Sequence, residues 1–165
     1  MQSWRDAIIG AYDRGEIEPA TPGLHPDAKR LIEQTRARRF TNAIRAAGDE
    51  AHGIFHAAQM SLPEAPVVGQ SVRTIYGATG VVTRIFKKSV RMVEGDGQER
   101  TVAIGALGLP SAAAVDYMMR RLTDEQLSLI ARYGADFGRD GKSHGYRSWQ
   151  AEAQVEIGRR TAADA

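Results

Sequence analysis

Cysteine is absent from this 165-residue chain, which excludes structural disulfides, thiolate zinc sites and a cysteine nucleophile. A chain without cysteine fits a reducing interior, so the cytoplasm is the expected compartment. Aromatic residues are sparse, with two Trp, five Tyr and four Phe. No apolar run approaches the roughly 18 to 20 residues that span a bilayer, so no membrane partner is expected. The stretch Met1-Gln2-Ser3-Trp4-Arg5-Asp6 lacks the basic-then-apolar order of a secretory signal. Charge of one sign is missing as well, since 22 Lys and Arg stand against 20 Asp and Glu, a net charge of +2. What excess there is lies in one place. Residues 67–108 hold 6 basic and 3 acidic groups, whereas 1–66 hold 8 and 9 and 109–165 hold 8 and 8.

That mildly basic segment is also the only one with strand chemistry. Val72–Ile75, Val81–Phe86, Val90–Val93 and Thr101–Ile104 are rich in β-branched residues and separated by turn residues. Gly77 and Gly80 allow a sharp turn between the first two runs, and Asp96-Gly97 suits the positive φ angles of a tight hairpin. Alternation puts Val72, Val81, Ile85, Val90, Met92, Val102 and Ile104 in the core. On this reading Ile85→Ala would cost about 2 to 5 kcal/mol.

Helical patterns flank it on both sides. Ser3 and Asp6 cap a first helix carrying Trp4, Ala7, Ile8, Ala11 and Tyr12 on one face and ending near Gly15. The proline-rich stretch from Gly15 to Pro26 reads as a connector. From Asp27 to about Met60, helical spacing predicts one long helix bent near Gly48, or two helices in line. After the strands, Pro110-Ser111 opens a helix to about Arg121, and Thr123-Asp124-Glu125-Gln126 is a capping box opening another to about Tyr133. Gly134–Arg147 reads as a glycine-rich loop, Ser148 as the cap of a last helix, and Thr161–Ala165 as a frayed tail. The expected fold is α+β, a small β-barrel (67–108) inserted between an N-terminal (1–62) and a C-terminal (110–165) helical segment.

Candidate chemistry is thin. His52 and His56 share a helix face near Asp49 and Glu50, but Gly53 stands where a zinc-hydrolase helix carries Glu, so no metal site is assigned. Gly141-Lys142-Ser143 lacks the earlier glycine of a phosphate loop, Asp136 standing in its place. Asp136, Asp140 and Gly141 match part of a calcium-loop pattern, but Gly138 and Arg147 occupy ligand positions. Asp136-Phe137-Gly138 stands without the rest of a kinase. No catalytic set and no cofactor fingerprint emerges, so the chain is expected to be no enzyme and to need no cofactor. Arg36, Arg38 and Arg39, with Lys29, Arg30 and Arg45, wrap the long helix without forming one blade. Met118-Met119 pack a core.

The pattern Val68-Gly69-x-x-Val72-Arg73-Thr74-x-Tyr76-Gly77-x-x-Gly80-Val81-Val82, closing with Val102–Leu107, resembles the small SH3-like barrels of the KOW and Tudor type. Such barrels occur in transcription-elongation and polymerase-binding proteins, as protein-docking modules, and in viral heads and tails. The resemblance implies a barrel and a binding role but fixes no single function. Two functions are therefore expected in order. The first is a non-enzymatic assembly or adaptor protein docking on protein partners or on its own copies through Tyr76, Phe86, Lys87 and Lys88, phage virion components included. The second is a nucleic-acid or polymerase-associated binder using Arg73, Arg84, Lys87, Lys88, Arg91 and Arg100.

Overall fold

The computed structural model describes residues 2–134 and 146–165. The expectations placed on Asp136, Phe137, Gly138, Asp140, Gly141, Lys142 and Ser143 lie outside the described residues, as does the side chain of Arg147. The architecture is α+β: α1 (Trp4–Asp13), α2 (Pro26–Met60), β1 (Ser71–Thr74), β2 (Thr79–Ile85), β3 (Ser89–Glu94), β4 (Glu99–Ala103), a 3-10 turn (Ile104–Ala106), β5 (Leu107–Gly108), α3 (Ser111–Arg121), α4 (Asp124–Tyr133) and α5 (Tyr146–Ala163). The chain divides into two compact units, Met1–Arg45 and Ala46–Ala165. No described helix is long and apolar enough to cross a membrane.

In the first unit, Ser3 and Asp6 form the expected capping box at the start of α1. The apolar face of α1 is covered only in part: Ile8, Ala11 and Tyr12 are half-buried, none is fully buried, and Trp4 stays 55% exposed. A ten-residue helix needs support, and a bidentate pair from Arg39 to Asp13, at 2.6 and 3.2 Å, supplies part of it. α2 is one helix from Pro26 to Met60, and it continues through Gly48. Residues 36–42 are exposed on all sides, over about two turns.

In the second unit the sheet is antiparallel, in the order β4-β3-β2-β1-β5. It is curled and open, with β4 at one edge and the two-residue β5 at the other. Val72, Val82, Val90, Met92 and Leu107 form its core, with Leu62, Val102 and Ile104 packed against them. Two residues expected in that core are not buried: Val81 is 42% and Ile85 41% exposed. Val82 is the buried member of the valine pair. The cause is a bulge. Val82 faces Met92 but Arg84 faces Arg91, so Thr83 is an extra residue with no partner across β3. Beyond it, Ile85 faces Val90 and so returns to the core side, but β2 has by then run past its last residue paired with β1, Val81.

The turns also differ in detail from expectation. Gly77 (φ 90°) makes the β1–β2 turn, its amide donating to the Thr74 carbonyl at 2.9 Å. Gly80 instead lies within β2, where a β-carbon would meet Met92 Cε at 2.5 Å and the Val93 carbonyl oxygen at 2.7 Å. In the β3–β4 loop only Gly97 has positive φ (84°). Asp96 turns its carboxylate to accept the Gln98 amide at 3.0 Å. Both loops therefore end a three-residue turn on glycine, the arrangement that follows a type I turn with a left-handed residue.

Residues 58–62, at the end of α2, close the β5 edge. Leu62 donates its amide to Leu107 (2.9 Å), Leu109 to Ala58 (2.7 Å), and Gln59 Nε2 to Ser111 Oγ (2.9 Å). Ala58, Leu109 and Ala114 are buried together beneath Phe55 and Tyr117. α4 opens with the expected Thr123–Gln126 capping box. Met118 and Met119 are buried as expected. α5 begins at Tyr146, before the expected cap Ser148, and stays helical to Ala163 through most of the expected frayed tail.

A charge cluster ties α3, α4 and α5 together. Glu156 is buried and accepts from Arg159 Nε at 2.8 Å and Arg160 Nε at 3.0 Å. Arg160 also donates to Asp124 (2.8 Å) and to the Met119 and Arg120 carbonyls at the end of α3 (3.1 and 3.2 Å). The Arg159 hydrogen bonds, opposed by desolvation and aided by Arg160, lower the Glu156 carboxyl from 4.5 to about 2. A carboxyl depressed on folding adds stability above its unfolded pKa and loses it as pH falls through the folded one. Because Arg159 is half exposed, solvent screening limits the gain to about 1 to 2 kcal/mol. In urea titrations the stability gap between wild type and Glu156→Gln should narrow as pH drops from about 5 to about 2. A gap constant over that range would show that the ionised carboxylate contributes nothing.

Candidate docking surface

Residues directly opposite one another in an antiparallel pair point to the same side of the sheet, so the register sorts the basic residues of 67–108 by face. Val82, Met92 and Val90 mark the inner face. Arg100 faces Met92 and belongs with them. It forms an ion pair with Glu94 at 3.4 Å. Arg84 faces Arg91, and Arg91 faces Thr101, on the outer face. Arg73 is also outward but faces Thr79 at the far end of β2, about 15 Å from Arg84 at roughly 3.3 Å per residue. The six residues proposed for nucleic acid therefore do not form one surface. Four of them do: Arg84, Lys87, Lys88 and Arg91.

Two of these, Arg84 and Arg91, lie on the Phe86 ring. The Arg84 guanidinium carbon lies 5.1 Å from the ring centre and that of Arg91 5.7 Å, both within cation–π range. Lys87 and Lys88 form the two-residue turn that follows, closed by the Phe86 amide on the Ser89 carbonyl at 2.8 Å. Thr83, the bulge residue, donates its hydroxyl to the Arg91 carbonyl (3.2 Å) and so pins the strand where the register shifts. Like charges directly opposite in a sheet are destabilising. Here the Phe86 ring takes up part of that cost, and no described carboxylate pairs with any of the four cations.

Of the four residues proposed to dock a protein, Phe86, Lys87 and Lys88 are together. Tyr76 is not. It is 84% exposed in the β1–β2 turn, at the opposite end of β2. The bulge, which turns Val82 inward and Val81 outward while Arg84 stays opposite Arg91, was missed from sequence; Thr83-Arg84 between two apolar residues was its only trace. The outer face has a further feature that the alternation pattern hid. Val81 faces Val93, and Val93 faces Glu99, making an apolar row beside the cationic one.

His52 and His56 are both exposed on α2, with ring centres 6.5 Å apart. His52 meets the edge of Trp149 (6.1 Å), which also packs on Phe55 (5.4 Å). Among the described residues no three His, Cys, Asp or Glu groups come together to hold a metal. On α2, Arg36 and Arg38 are exposed and Arg39 is engaged by Asp13.

No family model matches the chain, and no curated protein and no solved structure is significantly similar to it.

Proposed function

We propose that the protein is a non-enzymatic adaptor or assembly protein, and that its curled sheet acts as a small SH3-like docking barrel for a larger protein partner. The β2–β3 hairpin is the contact. The observation that carries this reading is the pair Arg84 and Arg91 on the Phe86 ring beside the Lys87-Lys88 turn, without a described carboxylate to balance them. Such a cluster costs folding stability and is compensated when an acidic surface covers it. Aromatic and arginine side chains are the residues on which binding energy concentrates.

Crosslinking from position 87 in the native host, followed by purification of the adduct, tests the reading. Arg84→Gln should weaken the captured complex by about fivefold or more, and Lys87→Ser with Lys88→Ser by about 25-fold, at about 1 kcal/mol per hot spot, with the melting temperature unchanged or raised because like charge is removed. Tyr76→Ser should leave it intact. If hairpin variants bind normally while substitutions at Arg36 and Arg38 abolish binding, α2 carries the function and the sheet is a scaffold.

The unbalanced cations also favour a second reading, contact with a nucleic-acid backbone. Its footprint is bounded by the four clustered cations. The salt dependence of duplex binding should then not exceed about 3.6 log units per log unit of salt, at about 0.9 for each phosphate neutralised. A steeper slope would require cations outside the cluster, such as Arg73, Arg100 or those of α2.

A further inference from the structure

We infer that the outer sheet face is built for an acidic, amphipathic protein segment, one whose carboxylates meet Arg84 and Arg91 while an apolar side chain beside them rests on Val81 and Val93. This rests on the docking reading above and names the chemistry of the partner. Along β3, Val93 and Arg91 are two residues apart on the same face, which separates the apolar and cationic rows by about 7 Å. A helix presents side chains at i and i+4 about 6 Å apart on one face, so one amphipathic turn spans both rows. Val81 is 42% exposed although it lies in the middle of the sheet between β1 and β3.

The same register argues against a nucleic-acid backbone on this face. Glu99 lies directly beside Val93, where it would repel phosphates, and the apolar row offers a phosphodiester nothing. Arg100, the cation that would extend the positive strip across β4, points to the other face and is engaged by Glu94. A segment with carboxylates at one end of a turn and an aliphatic group at the other avoids the repulsion and uses both rows.

Fluorescence anisotropy with the full chain at physiological salt tests this using three labelled probes. The first is a 15-residue helical peptide with Leu and Glu at i, i+4 spacing. The second is the same peptide with every Leu replaced by Gln, and the third is a 15-nucleotide oligothymidylate. The Leu/Glu peptide should bind at least tenfold more tightly than either of the others. Val81→Thr, a change of similar size at an exposed position, should reduce its affinity about fivefold at unchanged melting temperature, and Arg84→Gln should weaken both peptides. Equal binding of the two peptides, or indifference to Val81→Thr, would overturn the apolar half of the site and with it the inference, while leaving the hairpin reading to its crosslinking test. Tighter binding of the oligonucleotide would replace the inference with the nucleic-acid reading. Failure of all three probes would overturn it as well.

Discussion

Gly108→Ala should lower the stability of the second unit by about 3 kcal/mol or more in urea unfolding. Gly108 has no unusual φ, so the reason is packing. A β-carbon there would overlap the Gln59 carbonyl oxygen and crowd the Gln59 carbonyl carbon and the Met60 nitrogen. These are backbone atoms at the end of a helix, and they cannot rotate away as a side chain would. The last turn of α2 would have to lift off β5. That movement loosens the two amide bonds at the junction, Leu62 to Leu107 and Leu109 to Ala58, each worth about 1 kcal/mol net. Overpacking adds its usual 1 to 3 kcal/mol. Gly105→Ala is the control, three residues earlier and with nothing within 4 Å of the added carbon. It should be neutral or stabilising by up to about 1 kcal/mol, because alanine restricts the unfolded chain. If both variants were equally stable, the α2–β5 junction would be looser than its close approach indicates.

The helices were legible because their signals are local. Ser3 with Asp6, Thr123 with Gln126 and Pro26 each act within one turn, and the structure has a helix beginning at each. The strands were legible as strands, for β-branched runs between glycines say as much. Which side of each strand faces the core was less so. Alternation has a period of two and no memory of an inserted residue. From Val72, Val90 and Met92 it gave the correct face, but across Val81-Val82-Thr83-Arg84-Ile85 it selected the wrong valine, because the bulge at Thr83 changes the count. The candidate surface was half legible for the same reason. Phe86, Lys87 and Lys88 are neighbours in sequence and stay so in space. Tyr76, Arg73 and Arg100 were grouped with them by residue type alone, and strand length and facing direction separate them. The role of Gly108 was invisible, since it depends on a helix end some fifty residues earlier in the chain.

The bulge supplies the second large effect. Met92→Ala, at a fully buried position opposite Val82, should cost about 2 to 5 kcal/mol, the range for emptying a core site of this size. Ile85→Ala removes a comparable aliphatic group one strand away, yet should cost only about 1 kcal/mol, since its 41% exposure scales down what full burial contributes and solvent fills the space. Between them, Val82→Thr against Val81→Thr isolates the register itself. The two substitutions are the same change at adjacent positions, but only at Val82 is a hydroxyl placed in the core, where an unsatisfied polar group costs about 1 to 3 kcal/mol. At Val81 it faces water and should be close to neutral. Chemical denaturation of the four variants decides the matter, with midpoints ordered Met92→Ala lowest, then Val82→Thr, then Ile85→Ala, with Val81→Thr near wild type. A reversed order within the valine pair would mean that β2 pairs with β3 without the extra residue at Thr83. Arg84 would still face Arg91, because the Lys87-Lys88 turn fixes that end of the pairing, but Val82 would replace Val81 opposite Val93, and the apolar row on the outer face would lose Val81.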